Sequence, residues 1–376
     1  MARTQYLPTS PEAVKVWSNK VVLDSVKKMA TKNLIGDEGS SQPFIVKSDL
    51  ESGPGDEVTT TLIAKLRGKP IEGAEKGAGR AQKLSSATHK MRIDKHRQIV
   101  NVGDVMDQKR VNFNIATQVR DRLSDYMAEI QDEQLIMTAS GARGIGAQGQ
   151  EILHYPVGYT GFPNTFVAPD ADHVMYWDGT RANAAAVTTG DKLGTNVIDK
   201  LVLRAKKQTG GSPDKSVRMT PIDVDGGKYF LYLAGPESMY DLRREVGDAG
   251  WLTLEKAKTT AVGAKSPIFT GGKAFYNGVV IDETQTVVKF DTTAAGGSYG
   301  IAAMRNLFLG ANAVAMAFGS KNRKSDSTRF ELMEDDDDYG EEGIVIVRMI
   351  AGFSKCRYDD RDFGVIANDV TYTAAT

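Results

Sequence analysis

The chain has 376 residues and a mass of 40.8 kDa, enough for two or three lobes around a sizeable core. Hydrophobic residues make up 41% and charged residues 25%, an ordinary globular balance that excludes wholesale disorder. Lys and Arg number 47 against 48 Asp and Glu, so the net charge of −1 points neither to a nucleic-acid binder nor to an acidic tail protein.

A lone cysteine, Cys356, excludes an intramolecular disulfide and any cysteine-cluster metal site. Lys15, Lys20, Asp24, Lys27 and Lys28 interrupt every candidate signal core near the N-terminus. The longest apolar run, Leu307 to Phe318, falls short of the roughly 18 residues of a membrane span. The expectation is a soluble chain with no membrane partner, made in a reducing cytoplasm. The 38 glycines favour a turn-rich, β or mixed architecture.

Residues 10–30 carry Val14, Trp17, Val21, Val26 and Met29 at helical spacing, after a Ser10-Pro11 start signal. Residues 31–56, broken by Gly36, Pro43, Gly53, Pro54 and Gly55, read as an extended arm over another surface, or equally as a surface loop. Glu57 to Leu66 reads as a half-buried strand, and Met91 to Val102 as a second β-prone run. Between them lies a glycine-rich stretch. From Lys65 to Arg97 there are ten basic and three acidic residues. Such a tongue cannot build its own core, so it is expected to project and to be ordered against a partner.

No Gly or Pro occurs between Gly103 and Gly141. Val111, Ile115, Val119, Leu123, Met127, Ile130 and Met137 form one stripe, which predicts a helix of about 30 residues ended by Gly141. Residues 141–192 read as loop. A helix is expected over Gly194–Gln208, a strand over Lys228–Ala234 and a short helix over Pro236–Val246. Asn277-Gly278 predicts a tight hairpin within Ala274–Asp282, and Thr286–Phe290 another strand. Leu307–Phe318 should be buried. Glu331 to Glu342, with eight acids, reads as a solvated loop, and Ile344–Phe353 and Phe363–Ala367 as strands.

No motif builds an active site. Gly144-x-Gly146-x-x-Gly149 has the letters of a dinucleotide fingerprint but follows a helix where the fingerprint needs a strand. Gly296-x-Ser298-x-Gly300 has the letters of a nucleophile elbow, yet His89, His96, His154 and His173 all precede Ser298, against the hydrolase order. The histidines lack ligand spacing, and Asp223-x-Asp225-Gly226 lacks the closing acid of a calcium loop. Neither a cofactor nor a metal nor an enzymatic activity is expected.

Eight blocks in order resemble the major capsid protein family of tailed bacteriophages that includes the coat protein of the short-tailed phage N-four. They are VWSNKVVLDSVKKM (Val16–Met29), VKSDLESGPGDEVTTTLIAKLRG (Val46–Gly68), MRIDKHRQIVNVGDVMDQKR (Met91–Arg110) and DEQLIMTASGARG (Asp132–Gly144). FLYLAGPESMYDLR (Phe230–Arg243), SPIFTGGKAFYNGVVIDE (Ser266–Glu283), MRNLFLGANAVAMAFG (Met304–Gly319) and DFGVI (Asp362–Ile366) follow. The resemblance covers nearly the whole chain. It implies an α+β fold, that of tailed-phage and herpesvirus capsid shells. The N-terminal arm would be 1–56, the extended β tongue 57–102, and the peripheral domain 103–190 with a spine helix 108–140. The axial domain would lie mainly in 191–320, and 321–376 would return to the peripheral sheet.

The implied function is a coat protein that self-assembles into pentamers and hexamers of an icosahedral head around double-stranded DNA. Its partners would be itself, scaffolding and portal proteins, a decoration protein and non-specifically packaged DNA. It would be assembled in the host cytoplasm and reside in the virion. Lys65, Arg67, Lys69, Arg80, Lys83, Lys90, Arg92 and Arg97 are the expected tongue contacts to acidic patches of a neighbouring subunit. One departure is the mixed, glycine-rich stretch 74–80, where a more acidic tip is the family's pattern. The chain starts at Met1 without a long helical extension, so scaffolding is expected on a separate protein and no N-terminal segment is expected to be cut away. The alternatives are a tail-tube or decoration protein, and a ligand-binding enzyme that uses the glycine loops.

Overall fold

The computed structural model describes residues 29, 31–49, 55–63, 69–81, 86–110, 115–144, 152–207, 219–224, 227–245, 274–290, 299–319, 330–337 and 342–373. Apart from Met29, the helix expected over 10–30 lies outside them. So do most of the dinucleotide-like letters and Ser298.

In chain order the strands before the long helix are β1 (Ile35–Asp37), β2 (Phe44–Lys47), β3 (Glu57–Ile63), β4 (Ser86–Arg92) and β5 (Asp94–Asp104). Helices α1 (Val105–Arg110) and α2 (Ile115–Ser140) come next, followed by β6 (Val174–Tyr176), α3 (Thr195–Lys207), β7 (Ile222–Val224), β8 (Gly227–Ala234) and α4 (Pro236–Arg243). The chain continues through β9 (Ala274–Tyr276), β10 (Val279–Glu283), β11 (Val288–Phe290), β12 (Ala303–Leu309), β13 (Val314–Gly319) and β14 (Phe330–Asp337). It ends with β15 (Glu342–Lys355), β16 (Arg357–Tyr358), β17 (Arg361–Asp362) and β18 (Val365–Thr371).

Two sheets organise these parts. The first is ordered β1-β2-β13-β15-β14, with β5 on the other edge of β15. Strand β15 is its spine. Its residues 350–355 pair with β13 and 342–349 with β14, so those two strands lie end to end along one edge. The second sheet is ordered β6-β18-β12-β8-β10-β9, with β11 and β7 as side pairs. Asn277 and Gly278, both at positive φ, make the two-residue turn expected between β9 and β10.

The second sheet is a wall between two cores. Phe230, Tyr232, Ala234, Phe308 and Ile366 face α3 and α4, against Ile198, Leu201 and Leu242. Their neighbours Leu231, Leu233, Leu307, Leu309 and Val365 face the other way, against Leu135 and Met137 of α2 and Phe44, Val314 and Val347 of the first sheet. Burial on both faces removes the polar–apolar alternation from these strands.

Helix α2 runs 26 residues, about 39 Å at ~1.5 Å per residue. Gly141 ends it at φ +69°, and its N–H donates to the Met137 carbonyl at 2.9 Å. A β-carbon there would also collide with the Val167 carbonyl oxygen. The expected single stripe holds only for the first half. Residues 130–140 are buried on all sides, polar ones included. Loop 152–167 covers this end: the Glu133 carboxylate accepts from Leu153 N at 2.7 Å and His154 N at 3.2 Å, and Gln134 Nε2 donates to Tyr159 Oη at 3.1 Å.

Two sequence expectations are corrected and a third is refined. Phe44–Lys47 is no arm or loop but a fully buried strand, parallel to both β1 and β13. The acidic stretch from Glu331 is strand through Asp337, because β15 supplies a complete row of backbone partners. Leu307–Phe318 is buried as expected, but it is two strands around a turn at Gly310–Ala313.

Arg305 joins the parts. Its Nε and Nη2 donate to the two Asp369 carboxylate oxygens at 2.7 Å each, and Nη1 donates to the Ser140 carbonyl at the end of α2 at 3.0 Å. Tyr299 Oη also donates to Asp369. Burial would lower the arginine's proton affinity, but Asp369 outweighs it and holds Arg305 above its ordinary value. Removing one partner of such a pair strands a buried charge. Arg305→Met is expected to cost about 3–5 kcal/mol in denaturant unfolding of the full chain, with part recovered in Arg305→Met/Asp369→Leu.

Candidate intersubunit surface

Strands β3 and β4 form a two-stranded hairpin whose register runs from Glu57 opposite Arg92 to Ile63 opposite Ser86. One face carries Val58, Leu62, Ala87 and Met91 inward. The other presents Thr59, Thr61, Ile63, Thr88, Lys90 and Arg92 to solvent. Residues 69–81 beyond the strands are all exposed. Ile63 and Ile71 keep 60% and 48% of their surface, large apolar groups with no core to enter. An isolated hairpin of this kind is marginal in water.

The hairpin is pinned at its base. Ile93 N donates to the Asp56 carbonyl at 2.9 Å. Arg92 N donates to Asn164 Oδ1 at 3.0 Å, and Asn164 Nδ2 returns bonds to the carbonyls of Arg92 (2.8 Å) and Phe353 (3.1 Å). The chain here crosses β15 at Gly352, where a β-carbon would collide with the Arg92 carbonyl oxygen. Below the crossing, Met91 packs with Ile45, Ala315, Ala317 and Cys356.

The expected cations fall into three groups. Lys65, Arg67 and Lys83 lie outside the described residues. Lys90 and Arg92 both reach Glu57, at 3.2 and 3.1 Å, and hold its carboxyl below the ordinary range; Arg80 pairs with Glu75, and Lys69 lies 3.9 Å from Glu72. Exposed pairs like these contribute little to stability and exchange partners readily. Arg97 is corrected: it lies on β5, opposite Arg348 of β15, and not on the hairpin. The return strand of the tongue is Ser86–Arg92, so the β-run expected over 91–102 belongs almost wholly to the main sheet.

A second surface lies on the ribbon β5–β15–β14. Val345, Val347 and Met349 point to the core, while the residues between them form an outward ladder. Its rungs are Arg97–Arg348, Ile99–Ile346–Met333 and Asn101–Ile344–Asp335. Ile99 is 49% exposed, and Ile344, Ile346 and Ile350 are half-buried. The register puts Asp104, Glu342 and Asp337 side by side at the ribbon's end, an arrangement disfavoured between bare strands. Asn101 Nδ2 donates to Glu342 at 2.7 Å. Among the described residues no group of three or more His, Cys, Asp or Glu is placed to hold a metal, and no helix is long and apolar enough to cross a membrane.

A family model described as phage capsid protein matches residues 5–375. The chain belongs to the phage capsid protein family. It is 26% identical over 388 residues to the major capsid protein of Pseudomonas phage KPP25, covering 96% of each chain. Among solved structures it is similar to the capsid of Ralstonia phage GP4, at 32% identity, full coverage of both chains and a TM-score of 0.79. The capsid of cyanophage Pam1 shares the fold, with a TM-score of 0.71 at 17% identity over 93% of this chain and 94% of that one. The tailed-phage shell fold expected from the sequence is therefore the fold observed.

For this capsid protein, sequence reasoning missed Asn164, Gly352 and the isoleucine ladder. Asn164 and Gly352 act on a backbone far away in sequence, so no local pattern marks them. The ladder was legible in part, as alternation within Ile344–Ile350. Asn164→Ala removes three hydrogen bonds at the hairpin base. Local opening of β4 is expected to become easier by about 1–3 kcal/mol, read as faster amide exchange over 86–92 with β18 unchanged.

Proposed function

We propose that the chain is the major coat subunit of a phage head, joining copies of itself into rings of five and six that close as an icosahedral shell around double-stranded DNA. The observation that carries this is the family match over almost the full chain, together with a fold shared with capsids. The same reading makes the chain a virion component assembled in the host cytoplasm, with scaffolding, portal and decoration proteins as further partners. Residues 1–56, apart from strands β1 and β2, would supply an arm, the hairpin region the tongue, α2 and the ribbon the peripheral part, and the second sheet with α3 and α4 the axial part.

Within that reading, the ribbon ladder is the seat for the tongue of a second copy. Charge favours it: the tongue region 57–92 carries eight basic and three acidic residues, and the ribbon's end gathers acids on three adjacent strands. Apolar surface favours it as well, since Ile63 and Ile71 on the tongue are exposed while Ile99 and Ile346 offer a matching stripe. Lys90 and Arg92 would exchange Glu57 for carboxylates of the neighbour. Each contact is modest, and closure of the shell multiplies them.

Negative-stain microscopy and sedimentation of the chain, alone and with candidate scaffolding partners, are expected to show closed shells or capsomer sheets. A monodisperse monomer in every sample overturns the coat reading. In shells carrying Ile63→Cys and Ile346→Cys, oxidation is expected to give a ladder of covalent multimers, since the native Cys356 is buried. Shells that form without the ladder overturn the seat alone. Arg92→Glu/Arg97→Glu is expected to lower shell yield while changing monomer stability by no more than about 0.5 kcal/mol.

A further inference from the structure

Two of the four histidines flank the point where the tongue crosses β15. His89 lies in β4, three residues before Arg92, and His96 lies in β5, three residues after Ile93. Both rings turn inward. His89 meets Tyr358 edge-on at 6.1 Å and bonds the Arg357 backbone; His96 meets Phe162 edge-on at 5.7 Å. In each ring Nε2 is buried and has no hydrogen-bond partner. A buried polar atom in that state is tolerated while neutral and becomes costly once it must carry a charge.

The surroundings offer a proton little. His89 faces a cleft of about 550 Å³ between β4, residues 163–167 and the 354–360 segment. Arg357 and Lys47 repel a positive ring there, and Lys355 lines the same cleft. Of the acids that could offset them, Asp362 holds Lys355 and Arg357 and Glu38 holds Lys47, while Asp359 and Asp360 line the cleft at its solvent-exposed rim. Thr60 is opposite on β3, Thr138 of α2 lines the cleft, and Lys90 next in sequence holds Glu57. His96 lines a smaller cavity of about 150 Å³ with Gln98, Tyr126, Tyr155 and Met349; His154 there is bound to Glu133 and Glu129, and Arg97 adds a further positive charge. Asp94 is the nearby acid.

We propose that the tongue's base is an acid-released joint, in which protonation of His89 and His96 opens the crossing at Arg92–Ile93 and frees the hairpin from the body. The closed base keeps both rings neutral, and opening exposes them to water. Burial, reinforced by Arg357 and Lys47, lowers His89 from 6.5 to about 4, and burial lowers His96 as well. A group depressed in the closed state gives stability that is complete above its free value and is lost as pH falls from 6.5 towards 4. For His89 alone, lowering pH from 7.5 to 5 shifts the base towards opening roughly 30-fold. His96 adds in the same direction.

The test is hydrogen–deuterium exchange on the full chain in its native assembly state, corrected for intrinsic rates, at pH 7.5 and 5.0. Peptides within 86–97 are expected to lose at least about tenfold in protection at pH 5.0 while β18 does not. His89→Gln/His96→Gln is expected to abolish that difference. Equal protection at both pH values, or the same loss in the double variant, overturns the proposal. Should the variant fold poorly, exchange at the imidazole C2 position in the unaltered chain decides it. Titration of both rings below 6.5, with His89 near 4, supports the joint; titration of either ring at or above 6.5 overturns it.

Discussion

A guanidinium buried where two cores meet fixes how the halves of this subunit are joined. Arg305 reaches Asp369 across one strand pair and, on its third nitrogen, the Ser140 carbonyl that ends the long helix. That carbonyl has no partner inside the helix, and the cation satisfies it while complementing the negative end of the helix dipole. The ring of Phe290 closes the remaining side, with the guanidinium carbon 4.8 Å from its centre. An ion pair in this position ties the helix end to one place on the sheet, since losing either partner leaves a buried charge alone. The long helix and the second sheet are thereby locked to one another, and the surfaces they carry keep a fixed relation.

That lock explains why parts of the fold were plain in the sequence and others hidden. The helix ended by Gly141, the Asn277-Gly278 hairpin and the helix after Gly194 depend on neighbours within a few residues, so spacing and turn chemistry reveal them. Phe44–Lys47 depends on Val314–Ala317, some 270 residues away, and on a parallel pairing that leaves no local mark. The acids from Glu334 to Asp337 disfavour a strand by their own propensity, yet β15 imposes one. Residues 130–140 carry a mixed polar pattern because the loop 152–167 brings partners for Glu133 and Gln134, which no helical wheel contains.

The tongue divides along the same line. Its lack of a core and its positive charge are properties of composition, and both are visible in the chain from Lys65 to Arg97. Its anchorage is not. Asn164 spends its whole amide on backbone groups at the crossing, and Gly352 exists to let one strand pass over another. Both roles follow from a close approach between distant segments.

The two ends of the hairpin therefore meet opposite physical demands. Towards the tip, the charges are exposed, as in the Arg80–Glu75 pair, so exchanging Glu75 for another carboxylate costs little. At the base, Met91 is buried and the backbone of Asp56, Arg92, Ile93 and Phe353 is matched by hydrogen bonds, so the hairpin's orientation is fixed there. The histidines interrupt that matching at two points beside the crossing. A base without them would hold the tongue equally firmly at every pH. With them, its hold depends on whether two rings stay neutral, which puts an adjustable joint where the hairpin leaves the main sheet.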